Sequence, residues 1–170
     1  MRKDGVLLWG RQVARVAEGN GGTEIILIVC EDITETRKLA EKVAYDASHD
    51  ALTDLVNRRE FERRLKRVLE TARISMTEHA VCYLDLDQFK VINDTWGHLA
   101  GDELLCQLAS VLKAQIRKRD TVARLGGDEF GVLMEHCTLK EAQRVANDLR
   151  RAVEGFRFLW RERVYSVRLA

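Results

Sequence analysis

The chain has 170 residues, of which 46% are hydrophobic and 32% charged, within the usual range for a globular protein. Its 28 basic and 27 acidic side chains leave a formal charge of +1, which argues against a general nucleic-acid or membrane-surface binder. The longest apolar run, Ile25 to Cys30, is too short to cross a bilayer, the first residues lack the apolar core of a signal peptide, and the four cysteines form no C-x-x-C pair. We therefore expect a cytoplasmic protein without a disulfide framework or a zinc site.

Residues 1–31 predict two β-strands joined by a turn. A mixed segment from Gly5 to Val16 and an apolar segment from Glu24 to Cys30 flank the sequence G-N-G-G at residues 19–22, which is typical of a turn. An isolated hairpin is marginal in water. This part of the chain is therefore expected to be the end of a domain that begins upstream, or an addition to the domain that follows.

A connector helix is predicted next, over residues 33–49. Asp32 can accept hydrogen bonds from the first free N–H groups, and Glu35 can reach back, as in a capping box. One apolar stripe of this helix is formed by Leu39, Ala40, Val43 and Ala47. The helix is interpreted either as a rigid coupling element or as a plain connector.

From residue 50 onward, helical and strand patterns alternate. Apolar residues at helical spacing predict helices with faces at residues 61–72, 104–116 and 139–153. Short apolar stretches predict strands at residues 80–84, 121–125, 130–134 and 164–170, the middle two forming a hairpin around Gly126-Gly127. This order predicts an α/β domain with a mixed central sheet flanked by helices, and its last strand stops at Ala170, so we expect the domain to be truncated at its C-terminal end.

Carboxylates are concentrated at two predicted strand ends. Asp85-Leu86-Asp87 follows an apolar strand directly, and Asp128-Glu129 follows the two glycines of the hairpin. Such acidic pairs repel each other unless a cation lies between them, and Mg²⁺ usually takes one or two carboxylates plus substrate phosphates. The alternative is that both pairs are polar strand ends without a ligand.

The segment between the acidic pairs carries residues that suit a nucleotide. Lys90 at a helix start could meet a phosphate held near the metal. Asn93 and Asp102 offer the donors and acceptors that the Watson–Crick edge of guanine requires. Taken singly, Asn93 is interpreted as a helix cap, Asp102 as a helix N-terminal charge, and His98 as structural. Basic pairs such as Arg58-Arg59 and Arg63-Arg64 are interpreted as solvated helix faces.

Three motifs follow one another along residues 50–130. Residues 124–130 read R-L-G-G-D-E-F, which resembles the signature of the GGDEF family, the diguanylate cyclases. Residues 85–102 read D-L-D-Q-F-K-V-I-N-D-T-W-G-H-L-A-G-D and resemble the family's second block, while residues 50–59 read D-A-L-T-D-L-V-N-R-R and resemble its opening motif. The resemblance covers residues 50–170, and it implies a nucleotide-cyclase, palm-like fold for them. The family's last strand and helix would lie beyond Ala170.

The resemblance also implies a reaction and a set of roles. The family condenses two GTP into cyclic di-GMP, a bacterial second messenger, with release of two pyrophosphates in a homodimer in which each subunit presents one GTP. By motif position, Asp85, Asp128 and the carbonyl of Leu86 would hold Mg²⁺ (or Mn²⁺), and either Asp128 or Glu129 would accept the proton. The phosphates would be held by Lys90 and by backbone N–H groups around Gln88 and Phe89; Asn93 and Asp102 would contact guanine, with His98 close to the substrate.

An R-x-x-D sequence at Arg117 and Asp120 resembles the family's inhibitory site. There the two residues would bind the guanine of the product, since the planar fork of arginine can meet O6 and N7 of guanine. The alternative is a solvated helix end followed by a strand.

The N-terminal part resembles the end of a PAS sensor domain with its exit helix, on the basis of the strands and of E-D-I-T-E-T-R at residues 31–37. The expected organisation is a PAS-like remnant at 1–32, a connector helix at 33–49 and a GGDEF domain at 50–170. The leading hypothesis is a sensor-regulated diguanylate cyclase with no nucleic-acid partner and no membrane segment in this chain. The alternatives are a GTP-binding regulatory domain with little turnover and a non-catalytic receptor for cyclic di-GMP.

Overall fold

The computed structural model describes residues 8–18, 24–161 and 163–169, which lie in two compact units, residues 1–47 and 48–170. The turn predicted at residues 19–22 lies outside the described residues. Among the described helices, none combines the length and the apolar composition that crossing a membrane requires.

The first unit is an antiparallel strand pair followed by a helix. Its elements are β1 (Gly10–Glu18), β2 (Glu24–Asp32) and α1 (Thr34–Asp46). The predicted hydrogen bond from the start of the helix to Asp32 is confirmed, because the Asp32 carboxylate accepts the N–H of Thr34, the first residue of α1, at 3.0 Å. The predicted capping box with Glu35 is wrong, because Ile33 is the N-cap and no side chain caps it. The reason is that β2 continues through Asp32 and pairs it with Gly10, so the helix cannot begin earlier.

Trp9 fastens the start of α1 to the strand pair. The backbone N–H of Trp9 donates to Thr34 Oγ1 at 2.9 Å, and the backbone carbonyl of Trp9 accepts the N–H of Ile33 at 2.9 Å. The Arg37 guanidinium lies 3.6 Å from the centre of the Trp9 ring, within the range of a cation–π contact. No residue of α1 is buried. The first turn of α1 is therefore held by contacts with Trp9 rather than by a hydrophobic core.

The second unit is the α/β domain that the sequence predicts. Its elements are β3 (Val56–Asn57), α2 (Arg58–Ser75), β4 (Ala80–Asp85), α3 (Phe89–Trp96), α4 (His98–Gln115), β5 (Thr121–Gly126), β6 (Glu129–Met134), α5 (Leu139–Gly155), β7 (Arg157–Trp160) and β8 (Arg163–Ser166). The central sheet has the order β3-β5-β6-β4, with β3 parallel to β5 and the other neighbours antiparallel. The predicted mixed sheet flanked by helices is thus confirmed.

Hydrophobic residues pack on both faces of this sheet. The larger cluster joins α4 and α5 to the strands through fully buried residues such as Leu104, Leu108, Phe130, Val132 and Leu149. The smaller cluster joins α2 to the strands and includes Val56, Phe61, Val68, Ala123 and Leu133. Burial of each large side chain contributes roughly 1.5–3 kcal/mol, so the hairpin of β5 and β6 is held firmly from both sides.

The strand predicted at residues 164–170 is only partly correct. Residues 163–166 form β8, which pairs with β7 in a separate two-stranded sheet, and Leu169 makes an isolated bridge with Leu86. The helix with its face at residues 104–116 begins earlier, at His98, and its first turn already buries Ala100 and Gly101. These two residues are small and carry little apolar signal, and the larger Leu99 beside them is exposed.

Candidate active site

A glycine turn sets the geometry of the hairpin between β5 and β6. Gly126 and Gly127 have φ of +146° and +54°, conformations that side-chain-bearing residues rarely adopt, and the register of the hairpin shifts between Arg124 and Gly126. Asp128 follows these glycines, and Glu129 pairs with Asp85 across β4 and β6. The two acidic pairs seen in the sequence are therefore brought to one end of the sheet.

The carboxylates at this end of the sheet interact electrostatically. Desolvation raises the pKa of Asp85, and the negative charges of Asp128, Glu129 and Asp87 raise it further. Like charges disfavour the ionised form of a carboxyl group in this way. A bound cation would relieve this repulsion.

The donor set suits a hard divalent cation. Asp85 and Asp128 supply carboxylate oxygens. Leu86, which follows Asp85 in the chain, supplies a carbonyl oxygen, and this oxygen also accepts the N–H of Phe89 at 3.4 Å. In the described part of the chain, no group of three or more His, Cys, Asp or Glu side chains has the geometry of a complete metal cage. Mg²⁺ needs no such cage, since it keeps several waters and binds one or two carboxylates plus substrate phosphates.

The segment after the first acidic pair turns sharply into α3. Gln88 is its N-cap and adopts a left-handed conformation with φ of 63°, which reverses the chain between β4 and the helix. Phe89 and Lys90 are the first two residues of α3, the first half-buried and the second exposed. Lys90 thus lies at a helix N-terminus, as the sequence indicated, close in the chain to Asp85.

Asn93 lies inside α3, so the interpretation of this residue as a helix cap is wrong. Its side-chain Oδ1 is buried and has no hydrogen-bond partner among the described residues. Gly101 of α4 faces it so closely that a Cβ there would lie 2.0 Å from Oδ1. Asp102 follows Gly101 and is exposed, and His98 is the exposed first residue of α4. The contact with Gly101 therefore brings Asn93 close to the segment that carries Asp102.

Arg124 and Arg58 donate hydrogen bonds to the hairpin, and the sequence analysis did not assign either of them to the site. Arg124 donates from Nε and Nη2 to the carbonyl of Gly127, at 3.0 and 2.9 Å. Arg58 donates from Nε to the carbonyl of Leu125 at 2.6 Å and from Nη2 to Glu129 Oε2 at 2.9 Å. The side chain of Arg58 is exposed, in keeping with its interpretation as part of a solvated helix face, but it also contacts the hairpin, which that interpretation did not include. One signal could have identified it, since a cation at the first position of a helix opposes the helix dipole.

A cleft of about 350 Å³ lies beside the carboxylates. Its lining includes the apolar side chains of Phe61, Tyr83 and Phe130, with Asp85 and Glu129 among its charged residues. The residues expected at the guanine are not among those that line it. The cleft is therefore distinct from the surface between α3 and α4.

Arg117 and Asp120 lie at the opposite end of β5 from the glycine turn. Asp120 immediately precedes β5, so six residues of strand, or roughly 20 Å, separate it from Gly127. Its N–H donates to the Arg117 carbonyl at 3.0 Å, and its Oδ2 accepts the Arg117 N–H at 3.4 Å. Nη2 of Arg117 lies 3.8 Å from Glu141 Oε1. The two residues share one turn, separate from the carboxylate cluster.

Comparison with known proteins identifies relatives. The family model described as "Diguanylate cyclase, GGDEF domain" matches residues 47–169. The probable diguanylate cyclase DgcE of Escherichia coli K12 is 45% identical over 141 residues, which are 83% of this chain and 13% of that protein. The cyclic di-GMP phosphodiesterase PdeB of Shewanella oneidensis is 41% identical over 118 residues, which are 69% of this chain and 14% of that protein. The chain thus spans only a small part of the length of these relatives.

Solved structures give the same result for the fold. The coiled coil and GGDEF domain of DgcB from Caulobacter crescentus, in complex with c-di-GMP, has a TM-score of 0.76 and 28% identity, covering 81% of this chain and 74% of that chain. Diguanylate cyclase SiaD from Pseudomonas aeruginosa, in complex with its activator SiaC, has a TM-score of 0.72 and 31% identity, covering 80% of this chain and 52% of that chain.

Proposed function

Because the chain belongs to the GGDEF family of diguanylate cyclase domains, we propose that it condenses two GTP molecules into cyclic di-GMP and two pyrophosphates. One observation carries the proposal. Asp85 lies opposite Glu129 in the sheet and close enough to Asp128 that their charges raise its pKa, beside a glycine turn that a phosphate chain can approach. Diguanylate cyclases of this family are generally dependent on a divalent metal.

In the proposed reaction, the ribose 3′-oxygen of one GTP bonds to the α-phosphorus of the other. The bond from that phosphorus to the bridging oxygen breaks, and pyrophosphate leaves with the electron pair. Mg²⁺ (or Mn²⁺), held by Asp85, Asp128 and the carbonyl of Leu86, would favour ionisation of the hydroxyl and offset charge on the leaving group. The carboxylate of Glu129 or Asp128 takes the hydroxyl proton. A second round with the roles exchanged closes the ring.

The remaining site residues bind and orient the substrate in this proposal. Lys90 and the N–H groups at the start of α3 hold the phosphates, where the helix dipole favours negative charge. Asp102 accepts from N1–H and N2–H of guanine, and Asn93 contacts the rest of that edge. Phe89 lies beside the phosphates, and His98 lies near the substrate. The unpartnered Oδ1 of Asn93 supports this assignment, since a buried polar atom without a partner is costly.

The proposed reaction also implies how the protein assembles and how its rate is regulated. Each subunit presents one GTP, so the active species is a homodimer. We further propose a PAS-like remnant at residues 1–32, a connector helix at 33–49 that sets the geometry of the dimer, and the GGDEF domain at 50–170. The contacts of Trp9 with Thr34 and Arg37 support such a coupling, because they tie the strand pair to the first turn of the helix. We also propose a cytoplasmic location, because GTP is available there.

A second candidate is a non-catalytic module that binds GTP or cyclic di-GMP and signals through assembly. One observation favours it: Arg117 and Asp120 form a turn of their own at the far end of β5, so product could bind there without any turnover. The same two residues form the inhibitory product site in the cyclase proposal.

GTP turnover with Mg²⁺, with the products separated by chromatography, tests the proposed function. We expect cyclic di-GMP from the chain and none from Asp128→Ala. A matched control is Glu70→Ala, which removes an exposed acidic side chain without a hydrogen bond or ion pair in the described part of the chain. Binding of cyclic di-GMP without any turnover would favour the second candidate, and turnover that persists in Asp128→Ala would contradict the assignment of the site.

A further inference from the structure

The hairpin of β7 and β8 presents an aromatic face to the end of α3. Phe158 pairs with Tyr165 and Trp160 pairs with Arg163, so these four side chains lie on the same face of the hairpin. The centre of the Tyr165 ring lies 5.4 Å from that of Trp96, the last residue of α3, and the Arg163 guanidinium lies 5.4 Å from the centre of the same ring. These distances are typical of aromatic pairs and cation–π contacts. The hairpin therefore contacts the C-terminal end of α3 through Trp96.

This face of the hairpin is anchored in the hydrophobic core. Phe158 is fully buried in the larger cluster, and its ring centre lies 6.4 Å from that of Tyr165 and 6.0 Å from that of Trp160. Tyr165 and Trp160 also pack against the cluster. Trp96 therefore packs against a side chain whose position is fixed by the core.

The helix α3 depends on its neighbours for its position. It has eight residues, none of which is fully buried, and its N-cap residue makes no side-chain hydrogen bond. A helix of this length is not stable by itself in water. Phe89 and Ile92 are partly buried against the larger cluster, and Gly101 of α4 lies against Asn93. The contact of the hairpin with Trp96 holds the last turn of the helix.

Asn93 lies three residues before Trp96 on α3. Residues at this spacing are neighbours on the surface of a helix, so a displacement of Trp96 would also move Asn93. In the proposed function, Asn93 contacts the guanine of GTP. A misplacement of about 1 Å is enough to weaken such a contact. The hairpin can therefore influence nucleotide binding without touching the nucleotide.

We propose that Trp96 is a positioning residue through which the hairpin of β7 and β8 sets Asn93 against the guanine of GTP. The inference rests on the proposed function and deepens it, because it adds the aromatic face of the hairpin to the part of the site that recognises the base. Loss of the contact between Trp96 and Tyr165 should weaken nucleotide binding and leave the chemistry at the carboxylates unchanged.

Binding of a GTP analogue to the whole chain tests the inference without turnover. The probe carries a methylene group between the α- and β-phosphorus atoms, so pyrophosphate cannot leave, and its dissociation constant is measured by calorimetry with Mg²⁺ present. In Trp96→Leu, we expect binding to weaken roughly fivefold to tenfold, which corresponds to the loss of one hydrogen bond. Unchanged affinity in this variant would overturn the inference.

Two substitutions at Tyr165 test the same contact from the hairpin. Tyr165→Leu removes the ring that packs on Trp96 and should weaken binding as Trp96→Leu does, so it replaces that variant if urea denaturation shows Trp96→Leu to be unfolded. Tyr165→Phe keeps the ring and removes a buried hydroxyl that has no partner among the described residues, so it should bind like the wild type. Equal losses in both variants at Tyr165 would overturn the inference.

The matched control on the hairpin is Leu159→Ala. Leu159 lies between Phe158 and Trp160 in β7, so its side chain is on the other face, where it is 60% exposed. The control should bind the analogue like the wild type. A loss equal to that in Tyr165→Leu would overturn the inference, because it would come from the stability of the hairpin instead of the contact with Trp96.

A double substitution shows whether Trp96 acts through Asn93. Asn93→Ala alone should weaken binding of the analogue, and adding Trp96→Leu to it should cause no further loss, because the group that Trp96 positions is already absent. Losses that add in the double variant would overturn the inference, since Trp96 would then act independently of Asn93.

Turnover distinguishes the inference from the function on which it rests. At saturating GTP, Trp96→Leu should keep kcat within roughly twofold of the wild type while KM rises, because binding shared by the ground state and the transition state is lost. Cyclic di-GMP production by the wild type, with unchanged analogue binding in Trp96→Leu, overturns the inference alone. The expected binding changes without wild-type turnover support the inference and overturn the proposed function.

Discussion

Asp50 and Arg124, 74 residues apart in the chain, form an ion pair in which Arg124 Nη1 donates to Asp50 Oδ1 at 3.1 Å. The two side chains are only 26% and 14% exposed. Because Arg124 also holds the Gly127 carbonyl, the loop at the start of the second unit is tied to the glycine turn of the hairpin. The opening motif at residues 50–59 and the signature at residues 124–130 are therefore joined by an ion pair beside the turn that carries Asp128.

Asp50→Asn should weaken the link between this loop and the glycine turn, because it removes the charge that pairs with Arg124. Burial would raise the pKa of Asp50, but hydrogen bonds from the Thr53 hydroxyl and N–H and from Arg124 outweigh it and lower the pKa below its ordinary value. The stability that this carboxylate contributes is thus present above its unfolded-state pKa and is lost as pH falls through the folded-state pKa. We expect a loss of about 1–2 kcal/mol at pH 7 in urea denaturation, and a lower kcat. Glu70→Gln is the control, and equal stability of the two variants would contradict the prediction.

Glu60 should contribute strongly to the acid sensitivity of the second unit. Hydrogen bonds from Arg63, opposed by burial and reinforced by Arg64, lower its pKa from 4.5 to about 2. Its stabilising contribution is therefore complete above about pH 4.5 and is lost as pH falls toward 2. Glu60→Gln should lower the free energy of unfolding by about 2 kcal/mol at pH 7 and reduce the change between pH 5 and 2 by a similar amount.

Urea denaturation at several pH values measures this effect. Glu62→Gln on the same helix is the matched control, because Glu62 is exposed and has no ion pair in the described residues. The prediction fails if Glu60→Gln keeps the acid sensitivity of the wild type.

The sequence predicted the mixed sheet and its hairpin because apolar periodicity and glycine pairs are local signals. It also indicated that acidic residues cluster at strand ends, since Asp85 ends β4 and Asp128 follows the glycine turn after β5. The hydrogen bonds of Arg58 could not be predicted in the same way, because its partners, Leu125 and Glu129, lie 67 and 71 residues away in the chain. These contacts form only because β3 pairs with β5. The short elements β3 and β7 were missed because strands of two and four residues carry too little pattern.

Gly101→Ala should displace Asn93. A Cβ at this position would lie 2.0 Å from Asn93 Oδ1 and 3.1 Å from Phe89 Cζ, so α3 and α4 must move apart or the amide must turn away. We expect a loss of about 1–3 kcal/mol in stability and a several-fold higher KM for GTP. Gly155→Ala is the control, because no heavy atom lies within 4 Å of its Cβ position.

Removal of the Asn93 side chain distinguishes the loss of stability in Gly101→Ala from its higher KM for GTP. Adding Asn93→Ala to Gly101→Ala should restore most of the lost stability, since the clash with the amide disappears and only the close approach to Phe89 Cζ remains. KM for GTP should stay high because the guanine contact is gone. A double variant with normal KM would show that Asn93 does not bind the base.

Arg117→Ala should relieve product inhibition without changing the initial rate. Arg117 and Asp120 lie at the far end of β5 from the carboxylates, so loss of the guanidinium leaves the proposed catalytic groups intact. We expect the inhibitory concentration of cyclic di-GMP to rise at least roughly tenfold, since a hydrogen bond from a charged group is lost. Lys118→Ala, which removes an exposed neighbouring charge, should leave the inhibition curve unchanged, and an equal shift in both variants would indicate a nonspecific charge effect instead of a guanine site.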